Sequence, residues 1–198
     1  MRRIHAAAFV SLDGVMQGPG GPHEDITGGF AQGGWVFKLF DPEVSNEMGR
    51  LFDRDYDLLL GRRTYDIFAG YWPHVAEDPA GIGAAFTACR KYVLSRGAPD
   101  LVIQGSSTLY PPLLAAGLID RLTLMIFPAV LGQGKRLFGE GTQPGLLSLV
   151  EQRAGVQGTL IATYEQGGSL PPMPDFAPQQ STSERETARQ QAMREGVW

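Results

Sequence analysis

Only one cysteine, Cys89, occurs in 198 residues. That excludes an internal disulfide and a cysteine-rich zinc site, and a reducing, cytoplasmic compartment is the natural expectation. Charge of one sign is scarce too: 17 Lys and Arg against 21 Asp and Glu leave a net −4. No basic block suggests nucleic acid or an anionic membrane as a partner. Long apolar runs are missing as well. Ala6–Val10 is too short for a signal-peptide core, and no stretch reaches the ~20 apolar residues of a membrane span. Of the three histidines, His5, His23 and His74, only His23 has acidic neighbours, Glu24 and Asp25. Adjacent residues rarely share one ion, so no metal site is expected. Nothing resembles a Ser-His-Asp arrangement or a Walker loop.

Glycine, by contrast, is abundant, with 26 residues. The segment from Asp13 to Gly34 is so rich in it that a loop able to approach a ligand or move over it is expected. A first strand, Arg3–Val10, precedes that loop. After it, Asp41, Pro42 and Glu43 mark a helix start, and Val44, Met48, Leu51 and Phe52 recur at helical spacing. Strands are predicted over Asp57–Leu60, Lys91–Leu94, Leu101–Ile103 and Arg121–Val130. Helices are predicted over Arg63–Phe68, Pro79–Ala88 and Leu109–Ala116. Leu147–Arg153 and Thr159–Tyr164 read as a closing antiparallel pair. The alternation implies an α/β sheet with parallel crossovers and an antiparallel edge. After Tyr164 the composition shifts. Gly167, Gly168 and several prolines mark a linker, so the chain divides into a domain of 1–166 and a tail of 167–198. In the tail, Ser183-Glu184-Arg185-Glu186 fits a capping box, and Gly196 suits the helix end. That helix either docks on its own domain or on a partner subunit through Ala188, Ala192 and Trp198, or is a frayed end.

Three strand ends carry groups that suit an anion. Leu101–Ile103 runs into Gln104-Gly105-Ser106-Ser107-Thr108-Leu109, where glycine permits close approach and a helix N-terminus offers amides and partial positive charge. An ordinary Ser- or Thr-capped turn would look the same. Asp57–Leu60 runs into Gly61-Arg62-Arg63-Thr64, with two guanidiniums at a helix start, where cations are mildly disfavoured. Tyr92-Val93-Leu94 leads to Ser95 and Arg96. Convergence of such ends at one crevice of an open sheet is worth more than any single turn. Ser11-Leu12-Asp13-Gly14 adds a carboxylate beside the glycine loop, suited to proton transfer or to an Asp-Gly turn. Trp35, Phe37 and Phe40 suit either ring stacking or core packing.

Taken in order, Ser11–Gly14, Leu60–Tyr65, Lys91–Ser95, Gly105–Leu109 and Val130–Phe138 resemble the dihydrofolate-reductase-like family. The resemblance is to the branch that includes the reductase half of the bifunctional riboflavin-biosynthesis protein RibD, and it spans residues 1–164. It implies a three-layer α/β sandwich with a mixed, mostly parallel sheet, usually a homodimer. It also implies an NADPH-dependent oxidoreductase acting on a small polar heterocycle or sugar derivative, of the 5-amino-6-(5-phosphoribosylamino)uracil reductase kind. Gly61, Arg62, Arg63, Thr64, Gly105, Ser106, Ser107, Thr108 and Leu109 would line the pyrophosphate. Ser95 and Arg96 would face the 2′-phosphate. Asp13 would lie near the nicotinamide as a catalytic group, with Trp35 and Asp41 on the substrate side. The chain lacks the Pro-Trp…Leu-Pro…Asp segment of folate reductases. The proton donor is therefore left among Asp13, Asp41, Glu47 and water. The zinc deaminase half of RibD is absent, and Arg96 is followed by only Gly97–Asp100 where the family has a further strand and helix. A non-catalytic nucleotide- or flavin-binding module on the same fold is the alternative, followed by a structural protein with a vestigial crevice.

Overall fold

Pro42 at the first helical position and Asp41 before it start one helix for physical reasons visible at both residues. The Asp41 carboxylate accepts a hydrogen bond from Glu43 N at 3.0 Å, and proline lacks the amide that would otherwise need a partner. Val44, Met48 and Leu51 then fall on one face and are buried. The same logic of pattern and punctuation runs along the chain. In a computed structural model, which describes residues 2–75, 82–89, 91, 99–172 and 183–197, the order is β1 (Ile4–Ser11), α1 (Trp35–Lys38), α2 (Pro42–Phe52), β2 (Tyr56–Leu58), α3 (Arg62–Tyr71), α4 (Ile82–Ala88), β3 (Asp100–Gln104), α5 (Tyr110–Ala115), β4 (Arg121–Phe127), β5 (Leu146–Ala154), β6 (Leu160–Gly168) and α6 (Glu184–Arg194).

The six strands form one sheet in the order β2-β3-β1-β4-β6-β5. The first four are parallel, while β6 runs antiparallel to both β4 and β5. Parallel crossovers cover both faces of the sheet, so these strands bury residues on both sides. Ala7, Val102, Met125 and Phe127 face a core closed by α1, α2 and α4 and flanked by Tyr65 and Phe68 of α3. Ala6, Ala8, Ile103, Leu122 and Leu124 face a second core with Tyr110, Met16 and Leu137. The expected three-layer α/β sandwich with an antiparallel edge is therefore the observed architecture.

Several boundaries shift. β4 stops at Phe127 rather than Val130, because Pro128 has no amide to give the ladder. The helix expected over Leu109–Ala116 begins as a 3-10 turn, Ser107–Leu109, and becomes α5 at Tyr110. Gly167 and Gly168, read as linker, are the last residues of β6. Of the strand expected over Lys91–Leu94 only Lys91 is described, bridged in parallel to Leu58. β4 lies between β1 and β6, and the exposed edge is β5, which shows Leu149 and Val150 to solvent. The tail helix α6 has its box: Ser183 Oγ accepts from Glu186 N at 3.2 Å. None of its residues is buried, so Ala188 and Ala192 do not dock on the described parts of this chain. No helix among the described residues is long and apolar enough to cross a membrane.

Candidate active site

Parallel pairing puts the carboxyl ends of β1, β2, β3 and β4 on one edge of the sheet, the edge where ligands of open α/β sheets bind. Two of the strand ends singled out in the sequence meet there. Gly61, the residue before α3, donates its amide to Ser106 Oγ at 2.9 Å, and Ser106 donates its own amide to Thr64 Oγ1 at 3.1 Å. The β2–α3 turn and the β3–α5 turn are thus clasped together. Gly105 and Ser106 both adopt left-handed backbone, φ +73° and +60°. Among the described residues Ser106 is the one non-glycine with positive φ, a conformation that costs energy and clusters at functional sites. Gly105 has no such option: a Cβ there would also press on Thr64 Cγ2 at 3.2 Å.

The first turn of α3 has no side-chain cap and no acidic residue, but carries Arg62 and Arg63. A helix start with cations in place of acids suits an anion. Arg62 Nε holds Asp66 at 3.1 Å, and Arg63 Nη1 reaches Thr27 Oγ1 at 3.5 Å. Ser107 and Leu109 are half-buried beside the clasp and Thr108 is exposed. Ser95 and Arg96 lie outside the described residues.

The glycine loop, expected to approach a ligand or move over it, is tied together by its own hydrogen bonds. Gly34 N donates to Gly18 O at 2.8 Å, pinching the loop at its base. Gln17 Nε2 donates to Asp25 O and Thr27 O, while its Oε1 accepts from Lys135 N at 3.0 Å. Lys135 Nζ bonds both Asp25 and Thr27 Oγ1. Thr27 therefore joins the loop to Lys135, with Arg63 of α3 at the edge of reach.

The candidate acids occupy different settings. Asp13 is a latch: Ser11 Oγ donates to its Oδ1 at 2.6 Å, and Leu131 N and Gly132 N donate at 3.1 and 2.8 Å. The Ser11 hydroxyl first, and then these amides, hold its pKa down to about 2. Asp13 is thus ionised at neutral pH and has no proton to give. Asp41, expected to face substrate, is fully buried. Besides capping α2 it accepts from Gln157 N at 2.6 Å, and a Cβ at Gly155 would collide with its carboxylate. Its role in the fold is to bolt α2 to the β5–β6 turn, out of a ligand's reach. Glu47 is engaged by Arg153 and, at 3.4 Å, by Arg50. Of the two settings open to Trp35, the structure shows core packing. It is 2% exposed, donates Nε1 to Gln17 O at 3.0 Å and packs edge-on against Phe127, so its ring is core rather than a stacking platform. No cluster of potential metal ligands occurs among the described residues.

The sequence around this edge has known relatives. Residues 93–161 match the RibD C-terminal domain. This RibD-type match covers β3, α5, β4 and β5 and enters β6. Among curated proteins, the chain is 25% identical over 196 residues to the uncharacterized protein YyaP of Bacillus subtilis (strain 168), covering 84% of this chain and 96% of that one. Among solved structures, a "Putative riboflavin biosynthesis protein" from Shewanella sp. PV-4 superposes with a TM-score of 0.59 at 23% identity, covering 84% of this chain and 99% of that one. A pyrimidine reductase-like protein from Corynebacterium diphtheriae gives 0.53 at 12%, covering 83% and 92%. A diaminohydroxyphosphoribosylaminopyrimidine deaminase/5-amino-6-(5-phosphoribosylamino)uracil reductase from Thermotoga maritima gives 0.51 at 11%, covering 83% of this chain and 56% of that one. These structures share the RibD-like, dihydrofolate-reductase-type fold seen here.

Gln104 is a residue of this edge that the sequence reading quotes with its turn but gives no role of its own, although it directly precedes Gly105. Its carboxamide Nε2 has only Met48 Sδ, at 3.7 Å, and its Oε1 is buried with no partner. A polar residue ending an otherwise apolar strand at a ligand edge was the available signal.

Proposed function

We propose that the protein is an NADPH-dependent reductase of the RibD type, transferring hydride to a polarised C=O or C=N of a small polar heterocycle or sugar derivative. The single observation that carries the proposal is the clasp of Gly61, Thr64, Gly105 and Ser106, which ties two strand ends together side by side on the carboxyl edge. The amides at the start of α3 and the turn Gly105–Leu109 would hold the pyrophosphate, with Arg63 and Arg62 as counter-charges. Ser95 and Arg96 remain the proposed 2′-phosphate contacts and the basis for preferring NADPH. When bound, the dinucleotide supplies the hydride. The chain's own part is to orient the ring over the ends of β1 and β3 and to exclude water with the latched loop 13–34.

Asp13 serves this reading as a fixed negative charge that shapes the edge. It has no proton to give near neutral pH, Asp41 is enclosed, and Glu47 is tied to Arg153. The proton then comes from water, the remaining candidate. We extend the proposal to a homodimer, in which a second copy covers Leu149 and Val150 on the edge strand β5.

Calorimetric titration with NADPH tests the site. Saturable binding in the micromolar to millimolar range is expected, lost in Gly105→Asp and in Ser107→Asp. The second variant avoids the positive φ of Gly105 and so separates charge repulsion from misfolding. Wild-type protein that binds no NADPH, or variants that bind it unchanged, would sink the reductase reading. NADPH binding without oxidation by any carbonyl or imine substrate would favour the non-catalytic module.

A further inference from the structure

Four side-chain polar atoms among the described residues are buried without a hydrogen-bond partner: Tyr56 Oη, Gln104 Oε1, Arg153 Nε, which still pairs with Glu43 at 3.4 Å, and Thr159 Oγ1. Gln104 is the one that ends a strand leading into the clasp. It pairs in register with Ala7 of the central strand β1 and precedes Gly105 directly. By strand alternation it shares the face of Val102, towards Met48 of α2.

A carboxamide is an expensive choice for that place. A buried acceptor left unpaired forfeits its hydration, whereas an apolar side chain of the same length would pack on Met48 without loss. Turning the amide over does not help, because it exchanges an orphan oxygen for an orphan nitrogen. The fold itself gains from the amide only the weak contact of Nε2 with Met48 Sδ. The terminal torsion of glutamine is broad, so the group can turn toward a ligand seated on the ends of β1 and β3 without strain. A carboxamide offers one donor and one acceptor side by side. Its complement is another amide edge, O=C–N–H, in a planar ring system.

We propose that Gln104 is a specificity residue that reads the amide edge of a ring bound at this site. The inference rests on the reductase reading above. Two sources carry that chemistry: the carboxamide of the nicotinamide, and the lactam of a uracil-like substrate. Gln104→Met keeps length and removes the amide. Calorimetry with NADPH, with 2′-phospho-ADP-ribose, which lacks nicotinamide, and with 5,6-diaminouracil in saturating NADPH separates the sources. An unchanged unfolding temperature and unchanged 2′-phospho-ADP-ribose affinity are expected in the variant. About a tenfold loss for NADPH assigns Gln104 to the cofactor. About a tenfold loss for 5,6-diaminouracil alone assigns it to the substrate. Unchanged NADPH affinity together with unchanged or absent uracil binding overturns the inference. So does a marked fall in unfolding temperature, which would make Gln104 a structural residue. If wild-type protein binds neither NADPH nor 2′-phospho-ADP-ribose, the reductase reading fails first and takes this one with it.

Discussion

The two edges of the parallel sheet handle polar groups in opposite ways. At the amino edge, charges are matched to one another: Arg2 holds Asp57 at 2.5 Å, His5 Nε2 lies 3.1 Å from Asp100 Oδ2, and the amides of Arg3 and Ile4 donate to Asp100 and Asp120. At the carboxyl edge, the turn after β3 holds Ser106 in left-handed backbone, the first turn of α3 carries two arginines and no acid, and the oxygen of an amide side chain has no hydrogen-bond partner. One edge is complete without a ligand, and the other is shaped as though something else belonged there. A fold satisfies its own polar groups wherever function does not require otherwise.

The sharpest way to break that contrast is to add negative charge at the carboxyl edge. Ser107→Asp should weaken NADPH by about a hundredfold or more, because a carboxylate would oppose the pyrophosphate in a site of reduced screening. Unfolding in urea should be little changed, as Ser107 is only half-buried. The converse change belongs to groups that serve the fold alone. Asp41→Ala strips the acceptor from Glu43 N and Gln157 N together, and should cost about 2–3 kcal/mol in urea unfolding. Arg2→Ala leaves the buried Asp57 carboxylate without its guanidinium and should cost about 2 kcal/mol, while NADPH affinity stays as it was. A loss of cofactor binding in Arg2→Ala would erase the distinction between the edges.

Ser106→Gly sharpens the contrast at smaller amplitude. Glycine relieves the left-handed strain but deletes the hydroxyl that Gly61 N uses. Stability should hold within about 1 kcal/mol as the two effects offset. NADPH affinity should fall by about tenfold, because the two turns lose their register. Equal affinity in this variant would make the clasp an incidental contact.

Much of this is legible from the residues. Small-residue turns after apolar strands, Pro42 behind Asp41, and the closing antiparallel pair point to the sheet and the edge, because each rests on local backbone rules. The parts that are not legible depend on contacts far apart in sequence. Asp41 lies 116 residues from Gln157, whose amide it accepts. Nothing local in Asp41-Pro42-Glu43 distinguishes a buried bolt from a substrate contact. Trp35 is decided by Phe127 and by the Gln17 carbonyl, again tertiary partners. The glycine loop looks free in sequence because its ties to Lys135 come from more than a hundred residues away. Gln104 escapes notice for a different reason: its interest lies in a bond it does not make.

Asp13 provides the smallest effect and the most direct check of the latch. Its folded pKa of about 2 lies below the ordinary carboxylate value of 3.8. A depressed carboxylate contributes stability that is complete above its unfolded pKa and is lost as pH falls through the folded one. The contribution should therefore be intact from neutral pH to about 4 and should disappear between about 4 and 2. The group is largely open to solvent, so the amplitude is modest and shrinks with added salt. Thermal melts of wild type and Asp13→Asn across that window provide the measurement. The two curves should be separated at pH 6 and converge toward pH 2, as protonation removes the charge that the Ser11 hydroxyl and the Leu131 and Gly132 amides hold. Parallel curves over the whole range would mean that the carboxylate's charge does not secure the 129–137 segment to the end of β1. The loops at the carboxyl edge would then be held by their backbone pairing alone.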